Sequence, residues 1–274
     1  MKRCTILLAL LFALGCSEAP APIAAKKLEE TGPTFAEIPD RETPAQSEPA
    51  AKAIVDAALA AHSEGKPNGI AAWKSFTLVR SGAIRTNTRE IVNQTWTIHA
   101  TWPDGYKLSA DLGGNTIIVS VAGNTVRRAM MLGVQKTASE TLDAENGDDF
   151  RKDTAGEWLW SLYPLTLPET KFAGFEPTTF QGKKLLGVRV FHPNFVPVVA
   201  FFDPDTKLMT GVAYQGRENG IKVLKENYAI EMKTFAGLKF PGRLVVNANG
   251  IQLAEWNVAK LEQASYDAKH FDVP

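Results

Sequence analysis

Cysteine is nearly absent: the 274 residues hold two, Cys4 and Cys16. Both lie in the first sixteen positions, so disulfides, thiolate metal sites and a cysteine nucleophile are excluded for the rest of the chain. An excess of one charge is missing as well. Thirty Lys and Arg balance thirty Asp and Glu, and without Lys2 and Arg3 the count becomes 28 against 30. That balance gives no electrostatic footprint for nucleic acid. The apolar stretch Cys4–Leu14 falls well short of the roughly 20 residues that a spanning helix needs. Catalytic signatures are also lacking. His62, His99, His192 and His270 stand far apart in unrelated contexts, and no pair has metal-ligand spacing. Ser81-Gly82 lacks the preceding Gly-x of a nucleophile elbow, and no phosphate-cradling glycine loop occurs. The carboxylates Asp143, Glu145, Asp148 and Asp149 depart from the calcium-loop pattern and read as a solvated loop. Asn93-Gln94-Thr95 is a formal sequon and carries no further reading. No catalytic residue, metal or cofactor is expected, and the chain is not read as an enzyme.

What is present begins at the N-terminus. Met1-Lys2-Arg3, the apolar stretch and Ala13-Leu14-Gly15-Cys16 resemble the leader and lipobox of a bacterial lipoprotein. The resemblance implies cleavage after residue 15 and acylation of Cys16. Ser17, where aspartate would signal retention, implies a lipid-anchored, periplasm-facing protein of the outer membrane in a Gram-negative cell. From 16 to 50 the composition is Ala, Pro and Glu with a single aromatic, Phe35, which reads as a disordered tether spanning on the order of 30 Å. Residues 51–274 read as one domain.

That domain opens with a helical pattern, Ile54, Val55, Ala58, Leu59 and His62, ended by Gly65-Lys66-Pro67. Strand periodicity follows. Trp96, Ile98, Ala100 and Trp102 share one face against Thr95, Thr97, His99 and Thr101 on a wet one, and Tyr106, Leu108 and Ala110 repeat the pattern. Tyr228, Ile230 and Met232 do so once more. Asp104-Gly105, Gly113-Gly114, Asn219-Gly220 and Asn249-Gly250 are hairpin signals. The run predicts an antiparallel meander. Two segments break the alternation: Val198–Phe202 is apolar throughout, as in a strand buried on both sides. Glu157–Leu167, with Trp158, Trp160 and Leu162, reads as a short helix across the open side of a curved sheet, either a packing plug or a ligand-gating cover. Met130-Met131-Leu132 beside Arg127 and Arg128 reads as a strand end or an adaptable apolar rim.

The opening helix, Trp102–Lys107, the Phe201-Phe202-Asp203-Pro204-Asp205-Thr206-Lys207-Leu208 strand and turn, Phe235–Pro241 and the terminal Phe271-Asp272-Val273-Pro274 form an ordered series. Together they resemble the LolA/LolB-like superfamily, in particular its divergent lipidated members among outer-membrane lipoprotein-sorting proteins. The resemblance implies an α+β fold: a strongly curved antiparallel sheet, an incomplete β-barrel, with helices covering a concave side that takes acyl chains. Neither the carrier's lid-locking arginine nor the receptor's protruding apolar loop can be placed on this sequence. Alternation together with that fold makes Trp96, Ile98, Trp102, Tyr106, Leu108, Trp158, Leu162, Val199 and Phe201 the expected lining. Two functions follow. One is a protein binding acyl chains, another amphiphile or a lipidated protein, with an interior its side chains do not fill. The other is a structural or stress-sensing envelope protein with a filled interior and an external surface or edge for a protein partner.

Overall fold

The computed structural model describes residues 38, 41–64, 68–85, 91–103, 105–218 and 221–272. The leader, Cys16 and most of the expected tether lie outside them, as do Gly65-Lys66-Pro67, Asp104, Asn219-Gly220 and the last two residues. Helix α1 (Pro49–His62) opens the fold with proline in its first turn, where a missing N–H costs nothing. A four-residue turn, α2 (Asn68–Ala71), leads into the strands β1 (Ser75–Arg85), β2 (Ile91–Thr101), β3 (Gly105–Asp111), β4 (Asn115–Ala122), β5 (Thr125–Leu132) and β6 (Gln135–Thr141). After α3 (Ala144–Trp160) come β7 (Lys171–Phe180), β8 (Lys183–His192), β9 (Phe195–Phe202), β10 (Met209–Glu218), β11 (Ile221–Phe235), β12 (Leu238–Ala248) and β13 (Ile251–Gln263).

All thirteen strands form one antiparallel sheet in the order β6-β5-β4-β3-β2-β1-β13-β12-β11-β10-β9-β8-β7. Every neighbour is a hairpin neighbour except β1 and β13, which pair from Phe76↔Gln263 to Ile84↔Ala254. Two meanders are thus sewn together at that seam, and the sheet opens between β6 and β7. Local chemistry sets the hairpins. Gly113 and Gly114 both have positive φ, as do Asn249 and Gly250, the backbone that tight hairpins demand. At the β9–β10 turn the Asp203 carboxylate accepts from the N–H groups of Asp205 (2.8 Å) and Thr206 (3.3 Å).

Curvature follows from what α3 touches. Gly147 lies against Val126 of β5, and Gly156 lies against Tyr214 of β10. Nine helical residues cover about 14 Å, whereas eight strand intervals of a flat sheet would separate β5 from β10 by about 38 Å. The sheet must therefore wrap around the helix.

Helix α3 begins well ahead of the Glu157 start that its apolar pattern predicts. The acidic stretch Asp143–Asp153 is helix rather than loop: Asp143 is its N-cap, accepting from the Asn146 N–H at 2.8 Å, and Glu145 sits in the first turn, where a negative charge suits the helix dipole. The helix stops at Trp160, Leu162 takes a left-handed φ of 62°, and Tyr163–Thr166 forms a 3-10 turn. Met130–Leu132 ends β5. Residues ahead of 51 also join the fold: Glu48 N–H donates to the Phe172 carbonyl of β7 (2.8 Å), and the Phe172 N–H donates to Ser47 Oγ (3.2 Å).

Candidate functional site

The concave face and the underside of α3 form one apolar cluster that includes all six tryptophans of the chain, 73, 96, 102, 158, 160 and 256. Trp158 anchors it, with its ring edge-on to Phe76 (5.6 Å) and to Trp102 (5.3 Å). Of the expected lining, Ile98, Trp102, Tyr106, Leu108, Trp158 and Leu162 are buried in this cluster, and Trp96 packs against it half-buried. They are buried together in that one cluster beneath α3.

Val199 and Phe201 are not part of it. They belong to a second buried cluster on the opposite face, with Ile38, Phe180, Leu224 and Tyr228, where Phe180 stacks on Tyr228 at 4.1 Å. Val198, Ala200 and Phe202 are the β9 residues that face α3's side. A strand with neither face wet carries no pattern that says which side is which, and that is why the placement of Val199 and Phe201 fails.

In and beside the apolar cluster sit charges that no local pattern announces as a group. Arg80 on β1 is buried, its guanidinium between the rings of Trp96 (4.9 Å) and Trp256 (4.7 Å), and its Nη2 is 2.7 Å from the Glu157 carboxylate of α3. Four residues earlier on the helix, both oxygens of Asp153 accept from Lys225 Nζ at 2.9 Å, and Oδ1 accepts from the Tyr214 hydroxyl at 3.1 Å. Burial, reinforced by the Glu157 charge, pushes the Tyr106 hydroxyl well above its ordinary range, so it stays protonated. A signal existed in β1: Phe76, Leu78 and Arg80 share one period-two phase, which puts an arginine on an otherwise apolar face.

His62 is another buried polar group. Its Nδ1 lies 2.6 Å from the Lys239 carbonyl and its Nε2 accepts from the Met209 N–H at 2.7 Å, so Nδ1 carries the proton. Burial lowers its pKa to about 4. Among the described residues no group of three or more His, Cys, Asp or Glu is placed to hold a metal, and no helix is long and apolar enough to cross a membrane.

An open antiparallel half-barrel with a helix seated on its concave side is the LolA-like fold, and this chain has it. The solved structures it is similar to include a LolA superfamily protein from Nitrosomonas europaea, at 8% identity over 81% of this chain and 97% of that one, with a TM-score of 0.51. A DUF1329 family protein from Desulfovibrio piger matches at 11% identity over 81% and 97%, TM-score 0.50. An outer membrane lipoprotein-sorting protein domain from Vibrio parahaemolyticus matches at 13% identity over 81% and 96%, TM-score 0.48. No protein-family model matches the chain, and no curated protein matches it in sequence.

Proposed function

We propose that this is a lipid-anchored envelope protein whose concave face takes acyl chains or another amphiphile when α3 lifts. The observation that carries this reading is the way α3 is fastened. Its largely buried Glu157 is paired with Arg80, at a position where apolar contacts would hold a permanent plug more firmly, and its half-exposed Asp153 reaches Lys225. Ion pairs can be exchanged for water when a helix unseats, and the tryptophan-rich surface beneath it matches a hydrocarbon chain. Burying that chain would be driven by about 25 cal/mol for each Å² removed from water. The fold's likeness to LolA superfamily proteins agrees with a role in lipoprotein or lipid handling rather than catalysis.

Brominated fatty acid tests this, because all six tryptophans lie in the one cluster. Saturable quenching of tryptophan fluorescence is the expected result; saturable binding without quenching would place the ligand elsewhere and end the proposal. The anchor has its own check. Cys16→Ser should move the protein from the membrane to the soluble fraction, and palmitate labelling that persists would put the lipid on another residue.

A second reading, contact with a protein partner, is favoured by the end of the sheet at β6. Among the described residues no strand neighbours its outer edge, and the adjoining tip presents Leu132 (48% exposed) and Val134 (93% exposed). Cross-linking that captures a protein through this tip, from cells in which the tryptophans stay unquenched, would favour it over the first.

A further inference from the structure

The outer face of β1–β4 carries a polar row, Thr77, His99, Lys107 and Ser120, paired strand to strand. Alternation alone predicts that such a row meets water. Instead, the chain after β13 crosses it. Ala264 N–H donates to the Ser75 carbonyl (3.1 Å), and the Tyr266 hydroxyl meets Thr77 Oγ1 at 2.5 Å. Tyr266 stacks on His99 (5.0 Å) and on His270 (4.3 Å), and the facing nitrogens of the two histidines, His99 Nδ1 and His270 Nε2, are 2.6 Å apart. Lys107 Nζ donates to the His270 carbonyl at 3.1 Å, and Ser120 Oγ donates to that of Phe271. Phe271 is buried against Gly105, where an added Cβ would come within 2.4 Å of the ring. Residues 264–272 are therefore a strap.

Its fastening depends on protons. Two imidazoles face to face share one hydrogen between the facing nitrogens, and the bond survives only while one of those nitrogens is bare. With both rings cationic, N–H points at N–H and like charges meet. The Lys107 ammonium adds a third positive charge, while Asp267, whose Oδ1 accepts from the backbone N–H of His270 at 3.0 Å, opposes it; Tyr266 is the other titratable ring against the pair. We propose that this strap is a clasp released by protons, closed over the outer face of β1–β4 at neutral pH and freed as the medium acidifies. The sign agrees with the electrostatics. Burial first, then the His270 and Lys107 charges, hold His99 below its usual pKa; at His270, burial and Lys107 outweigh Asp267. The seated rings thus bind protons more weakly than free ones, and protons added below about pH 6.5 favour the open strap. Release uncovers the row and the site above Gly105 without involving the concave face, so it stands or falls apart from acyl-chain binding.

Hydrogen exchange of the full chain at about pH 7.5 and about pH 5, corrected for intrinsic rates, reads the clasp directly. Protection of residues 264–272 is expected to fall by roughly tenfold or more at the lower pH while β11 and β12 keep theirs. In a His99→Gln/His270→Gln variant, whose amides cannot take up charge, the pH dependence of the strap should largely vanish. Equal protection of the wild-type strap at both pH values, or the same loss in the double variant, overturns the proposal. If the double variant already lacks a seated strap at neutral pH, an imidazole titration of the wild-type protein by NMR decides. Coupled protonation below about pH 6.5 with movement of the Phe271 ring signals supports the clasp, and protonation that leaves Phe271 unmoved refutes it.

Discussion

His62 fastens α1 to two strands through its ring alone, and the physics of that contact sets a pH dependence. Free histidine titrates near 6.5 and the buried ring near 4, so the folded state favours the neutral form. The contribution is whole above about pH 6.5 and is lost as pH falls towards 4, about 3 kcal/mol in all. His62→Leu should cost about 2–4 kcal/mol at neutral pH, since the Met209 N–H and the Lys239 carbonyl lose their partner, and should flatten the acid limb of the stability curve. Urea melts at about pH 7 and about pH 4.5 check both parts; an unchanged acid limb in the variant would assign the effect to another group. Glu226 works in the opposite direction. Fully buried on the outer face, its carboxyl is raised to about 7 by burial, against the hydrogen bond it accepts from the Tyr228 hydroxyl (2.8 Å). A raised carboxyl stabilises below its unfolded value near 4.5 and loses that contribution as pH rises through 7. Glu226→Gln should therefore stabilise by about 2–3 kcal/mol near pH 8 and change little near pH 4.5, again by urea melts. What the sequence made legible at this scale was phase. Trp96, Ile98, Trp102, Tyr106 and Leu108 fell where alternation put them because their opposite face is polar. Val199 and Phe201 did not, because theirs is apolar too. His99 and His270, 171 residues apart, meet through a tail that no local pattern announces.

At the scale of elements, α3 is the one whose boundaries the sequence obscured. Its aromatic end, Trp158–Trp160, was visible as an apolar helix, but its acidic front resembles a loop because it is helix with polar partners rather than helix with an apolar stripe. Asp148 pairs with Lys152 at i,i+4, while Glu145, Asp153 and Glu157 reach Arg217, Lys225 and Arg80 on the sheet. Such partners lie far off in sequence and leave no periodicity. The buried member, Arg80–Glu157, decides whether α3 is built to move. Removing one partner, by Arg80→Met or Glu157→Leu, leaves a buried charge uncompensated and should cost about 3–5 kcal/mol. Replacing both should recover most of that loss or exceed wild-type stability, because two desolvated charges give way to apolar packing. If α3 is the cover of an acyl-chain site, the double variant should also bind brominated fatty acid more weakly, its cover now held by contacts that water cannot replace. A double variant as unstable as the singles would mean that the pair is a net stabiliser, and the fastening would no longer argue for motion.

For the whole molecule, the seam between β1 and β13 and the gap between β6 and β7 decide the shape, and neither was legible: alternation assigns faces, not neighbours, and only the turn signals of successive hairpins assign pairs. The half-barrel class came instead from an ordered series of short motifs spread over the domain. An open sheet leaves two edges, and the two are treated differently. The β6 edge is seven residues, polar in sequence and carrying the exposed Glu140. The β7 edge is ten residues and includes Phe172 and Phe175, a more adhesive template. It is blocked by the chain ahead of α1: Ser47 and Glu48 serve Phe172, and the Glu48 carboxylate accepts from the Gly174 N–H at 2.7 Å. The residues just before the helix therefore act as a guard for the sheet, beyond any role in spacing the domain from a membrane. A chain that begins at Pro49 should expose the Phe172 and Gly174 backbone and associate edge to edge as its concentration rises, whereas one that begins at Arg41 should not. Sedimentation velocity over a concentration series distinguishes them. If both species sediment alike while their urea melts also coincide, Ser47 and Glu48 neither guard β7 nor stabilise the sheet, and its protection must be sought in the strand itself.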